Sequence, residues 1–307
     1  MDLSYIIPPV DRELLKSELT KDRWVRSTNK LTNEIYIVNH HNSPNVMQEI
    51  GRLRELTFAL AGGGTGQPVD IDDADRAEIC YDQLIVWAPE EEEIVGGYRF
   101  IDCAKVAHDK SLHHHLSTAH YFDFTDDFIN DYLPYTIELG RSWIQPEFQP
   151  TKNPRKGLFA LDNLWDGLGA LVLTHDHLKH FYGKVTMYTS YDTEARNALL
   201  TFMHHFFPDN DKMVTPISPL KFAANNAKFK KMISGLEYKE AHRLLSRFCQ
   251  SRGEYIPPLI NQYMSLSATM KTFGTCINEE FGAVEETGIL VTVADVYPEK
   301  SERHLTL

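Results

Sequence analysis

The sequence predicts an α/β fold of the α+β type, in which helices flank one mixed and mostly antiparallel β-sheet. Short β-branched runs alternate with helical patterns, and two of these runs, separated by PEEEE, have the form of a β-hairpin. The 307 residues are 42% hydrophobic, which is enough to bury a sizeable core. We expect an N-terminal extension at residues 1–33 and one domain over 34–307, with a helical insertion near 216–255.

The predicted strands are runs of β-branched and aromatic residues, and the predicted helices repeat apolar residues every three to four positions. In chain order, the elements are a helix-prone leader at 11–23, a strand at 34–39, a helix at 46–61, strands at 83–88, 94–103 and 135–145, a helix at 158–181, a strand at 184–191, a helix at 193–207, two short polar helices within 216–250 and a strand at 288–297. We expect the strands between 34 and 191 to share one sheet, with the helix from 158 packed on it.

Turn and capping residues set the element boundaries. The glycines at 62–64 end the first long helix, Gly183 ends the second, and Asp192 caps the third. The polar residues 62–79 predict a mobile loop before a strand, a common position for a segment that covers a substrate.

Charge and hydropathy exclude several classes of protein. The chain has 31 Lys and Arg against 43 Asp and Glu, a net charge of −12, without a compensating basic block. Nucleic acid is therefore not expected as a partner. The longest apolar stretch, at 164–173, contains Asp166 and is shorter than the ~20 residues of a membrane-spanning helix. With no signal-peptide pattern at the N-terminus, we expect a cytoplasmic protein.

Cysteine, histidine and serine patterns give no metal or nucleophile site. Cys80, Cys103, Cys249 and Cys276 are scattered, which favours buried thiols in a reducing compartment. The fourteen histidines lack zincin spacing, so solvated histidines at helix ends are favoured over a metal site. A Gly-x-Ser-x-Gly nucleophile elbow does not occur.

The strand pattern at 135–145 carries the strongest chemical signal. Alternation places Glu138 on one face of the strand and Arg141 on the other. A carboxylate inside a sheet must be paired, hydrogen-bonded or used, and burial raises its pKa toward the range of a general base. A structural Glu–Arg pair and a catalytic role both remain open from this strand alone.

The order of motifs resembles the GNAT acyltransferases, and within them the acyl-carrier-protein-dependent branch of ornithine-lipid and glycine-lipid synthases, often labelled hemolysin-like. The acyl-homoserine-lactone synthases are similar at a greater distance. The motifs that carry the resemblance are RELTF at 54–58, CYDQLIVW at 80–87, GGYRF at 96–100, IELGRSWIQPEF at 137–148, ALDNLWDGLGALV at 160–172, FYGKVTMY at 181–188 and IPPLINQYMSLSA at 256–268.

The resemblance implies roles for the matched positions. Glu138 and Arg141 match a Glu-x-x-Arg pair, and Glu138 would be the general base. Asp82 matches the second acidic position of an Asp-x-x-Asp pattern whose first position falls on Ile79, and it could hold the acceptor ammonium. The expected substrate-binding residues are Arg54, Phe58, Arg99, Trp143 and Ile144, with an arginine binding an amino-acid carboxylate and main-chain amides near Trp143 and Ile144 binding the oxyanion.

A phosphate-binding loop is expected at Arg155, Lys156 and Gly157, although its glycine spacing departs from the six-residue form that binds the coenzyme A pyrophosphate. A donor with one phosphate, the phosphopantetheine thioester of acyl carrier protein, needs fewer amides. Acyl carrier protein would dock on local basic clusters, at 152–156 or at 228–231. We expect no permanently bound cofactor, and either acyl carrier protein or acyl-CoA as the co-substrate.

The sequence thus predicts an N-acyltransferase that moves a long-chain fatty acyl group, with or without a 3-hydroxyl, to an amino acid such as glycine or ornithine. The apolar helix around 164–173, with Trp143 and Phe148, could line an acyl tunnel, although such a stripe is more often plain core. The alternatives are a short-chain acetyl-CoA-dependent acetyltransferase and a non-enzymatic, hemolysin-like lipid-binding protein. Peripheral contact with the inner face of the membrane is compatible with each of them.

Overall fold

The computed structural model describes residues 2–220 and 226–304 and contains one large sheet between two helical layers. Its strands are β1 Trp24–Ser27, β2 Glu34–Val38, β3 Asp82–Ala88, β4 Glu93–Asp102, β5 Phe122–Phe124, β6 Thr136–Ile144, β7 His180–Met187, β8 Val214–Pro216, β9 Lys271–Asn278 and β10 Val284–Thr292. Its α-helices are α1 Arg12–Glu18, α2 Pro44–Ala61, α3 Asp73–Arg76, α4 Ala104–Ala107, α5 Pro154–Thr174, α6 Thr193–Phe206, α7 Asn226–Ile233, α8 Tyr238–Ser251, α9 Pro258–Met264 and α10 Pro298–His304.

The main sheet has eight strands in the order β1-β2-β3-β4-β6-β7-β10-β9. All neighbours are antiparallel except β6 and β7, which run parallel. The predicted mixed, mostly antiparallel sheet flanked by helices is confirmed, including the β3–β4 hairpin. Strands β5 and β8 form a separate pair.

Each face of the sheet buries its own set of apolar side chains. On one face, the α5 side chains Leu164, Leu168 and Leu171 pack on Leu84 and Phe100. On the other face, α2 packs on a second group of strand residues. The predicted packing of the long apolar helix on the sheet is therefore confirmed.

Several boundaries differ from the prediction. The helix predicted to reach residue 181 ends at Thr174, and β7 begins at His180. The error arises because a short apolar run fits both the helical period of 3.6 residues and the strand period of two. Strands β1 and β9 were not predicted. The insertion at 216–255 contains α7 and α8, and residues 221–225 within it lie outside the described part of the chain.

A β-bulge interrupts β6 opposite Tyr98. Gly97 pairs with Trp143 and Arg99 with Gly140, so β6 contains one more residue than β4 between these pairs. Arg141 has a left-handed φ of 45° at this point. The extra residue reverses the alternation, and Trp143 lies with α2 rather than on the face that simple alternation predicted.

Candidate active site

A cleft opens where β6 and β7 diverge. The two strands pair only between Thr136–Leu139 and His180–Gly183, and beyond Gly140 they separate. The cleft encloses roughly 370 Å³, including the part open to solvent. It is lined by Tyr98, Leu139, Gly140, Arg141, Ser142, Phe181, Tyr182, Gly183, Lys184, Leu259, Tyr263, Ile289 and Val291.

The cleft adjoins an apolar space on the α5 face of the sheet, which encloses roughly 510 Å³ including the part open to solvent. Leu139, Phe181, Tyr263 and Val291 line both spaces. The apolar part is lined further by Trp165, Leu168, Gly169, Val172, Leu266, Val293, Val296, Lys300, Ser301 and His304, so helices α5 and α10 form its walls. The α5 helix thus lines a cavity, whereas Trp143 and Phe148 are core residues outside the lining of either space.

Glu138 lies next to the cleft and is only 1% exposed. Its carboxylate accepts hydrogen bonds from the Tyr81 hydroxyl (2.6 Å), the Thr118 hydroxyl (2.6 Å) and the Thr118 amide (3.2 Å). Burial raises its pKa, while the bonds from Thr118 and Tyr81 and the charge of Lys184 oppose that rise. The structural Glu138–Arg141 pair is not formed, because Glu138 meets hydroxyls and Arg141 meets other carboxylates.

Tyr182 connects Glu138 with the cleft. It pairs with Glu138 across the parallel strands and lines the cleft, which Glu138 itself does not. Its buried hydroxyl makes no hydrogen bond of good geometry with the described residues, yet it lies close enough to interact with Thr118 and Glu138. Tyr182 thus borders both the cleft and the surroundings of Glu138.

A buried cluster of three arginines and three aspartates lies beside Glu138. Arg54 Nε is 3.0 Å from Asp70 and its Nη1 is 3.2 Å from Asp75. Arg99 Nη1 is 2.7 Å from Asp72, and Arg141 Nε is 2.8 Å from Asp70. Burial alone would raise the pKa of Asp70, but Arg141 and Arg54 hold it below its usual value. The carboxylates thus already compensate Arg54 and Arg99.

This cluster fixes the segment that the sequence predicted to be mobile. Asp70 and Asp75 are buried, and Glu55 accepts hydrogen bonds from the amides of Thr65 and Gly66. Ion pairs therefore tie residues 62–79 to α2, β4 and β6. Composition alone could not show this, because the aspartates look like ordinary loop residues.

Asp72 and Asp75 also have Asp-x-x-Asp spacing. Both carboxylates contact Arg99, at 2.7 and 3.5 Å. Asp82 pairs in register with Phe100 on the α5 face and accepts a bond from Asn39 (2.9 Å). Because Glu138 faces the other side of the sheet, the structure does not bring Asp82 and Glu138 together.

The remaining predicted residues lie apart from the cleft. Phe58 on α2 packs edge-on against Phe281, over whose ring Arg141 also lies. Arg155, Lys156 and Gly157 form the first turn of α5, where the Asn153 side chain caps the Lys156 amide. Lys156 pairs with Glu91, and a Cβ on Gly157 would lie 2.3 Å from the Pro150 nitrogen. This glycine therefore allows the close approach of a preceding loop.

Sequence reasoning missed a second charged pair at the cleft. Lys184 Nζ lies 2.6 Å from the buried Glu286 carboxylate and 4.2 Å from the centroid of the Tyr121 ring. Burial would raise the pKa of Glu286, but Lys184 holds it below its usual value. Alternation within residues 184–191 could have suggested Lys184, since it is a charged residue in an interior strand. Its partner is about a hundred residues away and had no such signal.

Among the described residues, no cluster of His, Cys, Asp and Glu has the form of a metal site, and the four cysteines are buried and unpaired. Within the same part of the chain, none of the helices has both the length and the apolar character needed to cross a membrane.

A sheet that parts between two parallel strands, an adjoining apolar space and a buried carboxylate beside it suit an acyl-transfer enzyme. Residues 53–156 match the acetyltransferase (GNAT) domain family. The chain is 52% identical over 300 residues to a glycine Nα-acyltransferase of Bacteroides thetaiotaomicron. This match covers 98% of the chain and 89% of that protein. The chain is 49% identical over 300 residues to a glycine Nα-acyltransferase of Phocaeicola vulgatus, covering 92% of it. No solved structure matches the chain.

The chain therefore belongs to the GNAT acyltransferases. It is an N-acyltransferase, and enzymes of this family take their acyl group from a thioester such as acyl-CoA.

Proposed function

We propose that this enzyme transfers a long-chain fatty acyl group, with or without a 3-hydroxyl, from an acyl carrier protein thioester to the amine of glycine. The observation that carries the proposal is that a charged cleft and an apolar space lie side by side and share four lining residues. An acetyl group would leave this apolar space empty, whereas a fatty chain would bury its methylene groups there. The names of the two relatives support glycine over ornithine as the acceptor.

The charged side of the cleft suits the carboxylate of an amino acid. Arg141 and Lys184 each pair with an acidic residue, Asp70 and Glu286, but both line the cleft. Arg54 and Arg99 are buried and do not line it. An acceptor carboxylate would therefore bind to Arg141 and Lys184, which replaces the expectation that Arg54 or Arg99 holds it. With the carboxylate bound here, the amine lies toward β6.

The reaction requires loss of an ammonium proton and attack of the amine nitrogen on the thioester carbon. In our proposal, the proton passes through the hydroxyls of Tyr182 and Thr118 to the carboxylate of Glu138, whose pKa burial raises. The C–N bond forms and the C–S bond breaks. The departing thiolate takes the second proton of the amine nitrogen, and Glu138 releases the first to solvent. Glu138 thus acts through a relay and does not touch the amine.

One main-chain amide of β6 is suited to the oxyanion. The Gln145 amide donates to Val95 in β4 (3.0 Å), so the Trp143 amide also points to β4 and the Ile144 amide points to the opposite side. That side is where β7 has diverged. Neither Trp143 nor Ile144 is among the cleft-lining residues, which on β6 end at Ser142. Of the two amides expected from the sequence, we propose Ile144 as the oxyanion donor, because its amide is the one turned away from β4.

The test is a matrix of donors and acceptors with the purified enzyme. We expect the highest kcat/KM for palmitoyl and 3-hydroxypalmitoyl carrier protein with glycine, lower values with palmitoyl-CoA, and little turnover of acetyl-CoA. Ornithine and alanine are the acceptor controls. Preferential use of acetyl-CoA would contradict the long-chain donor, and binding of fatty acid without transfer to any amine would favour a lipid carrier.

A variant in the apolar space separates chain binding from chemistry. Val172→Trp fills the space from α5, so we expect kcat/KM to fall at least tenfold for palmitoyl donors and to change little for butyryl donors. Leu173→Trp changes the adjacent, exposed side chain and is the matched control. Equal loss with both donor lengths would contradict binding of the chain in this space.

A further inference from the structure

Helices α7 and α8 carry a basic surface on an acidic protein. Residues 226–251 contain six lysines and arginines against two glutamates, whereas the whole chain has a net charge of −12. The six cations are Lys228, Lys230, Lys231, Lys239, Arg243 and Arg247. All six are exposed, and none forms an ion pair with the part of the chain that the structure describes.

The helices present these charges in an ordered way. Lys239, Arg243 and Arg247 follow one another every four residues and form a stripe along α8. On the opposite side, α8 buries Ala241, Leu245 and Cys249 against the core. Because the apolar side already packs on the protein, α8 has no free apolar face to insert into a bilayer. The surface therefore offers charge, which fits an acidic protein better than a membrane.

Hydrogen bonds connect the helix that carries the basic stripe to a helix that lines the cleft. The Tyr238 hydroxyl donates to the Met264 carbonyl (2.9 Å), and the His242 ring lies 2.7 Å from the Asn261 side chain. Both bonds join α8 to α9, whose Leu259 and Tyr263 line the cleft. A partner bound to α7 and α8 is thus separated from the cleft by one helix, α9.

The other basic cluster of the sequence does not offer such a surface. Lys156 is paired with Glu91 and lies over the ring of Phe148, so the acidic turn at 90–93 contacts this cluster. An acidic partner would meet those glutamates there.

We propose that α7 and α8 are the docking surface for the acidic carrier protein that delivers the acyl thioester. The proposal rests on the carrier donor proposed above and adds the place where the carrier binds. Opposite charges accelerate the encounter, and the surface orients the carrier so that its pantetheine arm enters beside α9.

The experiment compares two charge-reversed enzymes of equal net charge. Lys239→Glu/Arg243→Glu changes the proposed surface, and Lys21→Glu/Lys30→Glu changes two exposed lysines of the N-terminal region. For palmitoyl carrier protein, we expect KM to rise on the order of tenfold in the first variant only, with kcat unchanged. With palmitoyl-pantetheine, which has no carrier protein, both variants should match the wild type. Raising the salt concentration should increase the wild-type KM and leave that of the first variant nearly constant.

Three outcomes would overturn the docking surface. One is an unchanged KM for the carrier thioester in the α8 variant, and another is an equal rise in the control. The third is that the α8 variant loses binding to vesicles of phosphatidylglycerol while its KM for the carrier thioester is unchanged. That result would assign the surface to a membrane. If instead the wild type turns over palmitoyl-CoA but not the carrier thioester, the proposed donor fails. That result is distinct from a failure of the surface.

Discussion

Glu138 is deeply buried and accepts three hydrogen bonds. At the scale of single residues, the first prediction concerns the charge of this side chain. Glu138→Gln keeps the shape and removes the base, so we expect kcat to fall ~10²–10⁴-fold. Tyr182→Phe should also lower kcat if its hydroxyl relays the proton. Tyr135→Phe, remote from the relay, is the control. Full activity of a folded Glu138→Gln enzyme would remove Glu138 from the mechanism.

The raised pKa of Glu138 also predicts a pH dependence of stability. Because burial raises the folded-state pKa above the ordinary value of 4.5, the contribution of Glu138 is fully present below that value. It is lost as the pH rises through the folded-state pKa. We therefore expect the melting temperature of Glu138→Gln to gain on that of the wild type as the pH rises above 4.5. A difference in melting temperature between Glu138→Gln and the wild type that is the same at all pH values would contradict a raised pKa of Glu138.

Lys184 and Glu286 allow binding and stability to be separated. Lys184→Met leaves the buried Glu286 unpaired, which costs about 3–5 kcal/mol of unfolding free energy. Lys184→Met/Glu286→Gln removes both charges and should recover most of that stability. If Lys184 binds the acceptor carboxylate, KM for glycine stays at least tenfold raised in the double variant. Recovery of KM together with stability would show a purely structural pair.

The sequence could reveal Glu138 and Arg141, because charged residues in an interior strand conflict with its apolar pattern. It could not reveal Tyr81, Thr118, Asp70 or Glu286, which look ordinary in their own segments. Their significance depends on contacts with distant strands.

At the scale of secondary-structure elements, the arginine–aspartate cluster joins residues 62–79 to α2 and the sheet. Arg54→Met leaves Asp70 and Asp75 with fewer partners, and we expect a loss of about 3–5 kcal/mol of unfolding free energy. Arg12→Met breaks an exposed ion pair with Glu93 and should cost less than about 1 kcal/mol. Equal losses, measured by denaturant unfolding, would contradict this view of the cluster.

The same cluster predicts acid sensitivity. Asp70 has a lowered pKa, so its contribution is present above its ordinary value of 3.8 and is lost as the pH falls through the lowered pKa. The stability difference between wild type and Arg54→Met should therefore shrink in strong acid.

The element boundaries show which signals the sequence contains. Strands β2, β3 and β4 and helices α2 and α6 have clear periods and lie close to their predicted positions. Strand β9 has the mixed sequence KTFGTCIN, which lacks a clean alternation. The bulge in β6 cannot be recognised from the sequence of apolar and polar residues, because the strand alternates in the same way with or without the extra residue.

At the scale of the whole molecule, residues 1–33 are integrated with the sheet, although their predicted status as an extension stays untested. Strand β1 pairs with β2, and Glu18 accepts bonds from the amides of Asn45 and Val46 at the start of α2. The Asn29 amide donates to Asp166 on α5 (2.8 Å). The overall layering was predictable from the order of periods, while these long-range contacts were not.

Deleting residues 1–33 tests this integration. The deletion exposes the edge of β2 and uncaps α2, so we expect a fall in melting temperature on the order of 10 °C or aggregation on size exclusion. Deleting residues 2–4 alone should have little effect. A truncated monomer with the wild-type melting temperature would show that the segment is dispensable for the fold.

The short parallel seam between β6 and β7 has a mechanical consequence. Four residue pairs join a five-stranded wing, formed by β1, β2, β3, β4 and β6, to a three-stranded wing, formed by β7, β10 and β9. Force along the strands would load all four pairs together, whereas force that spreads the wings would load them one after another, as in a zipper. We expect the sheet to be most compliant in this one direction, and a substrate bound in the cleft between the wings to stiffen it.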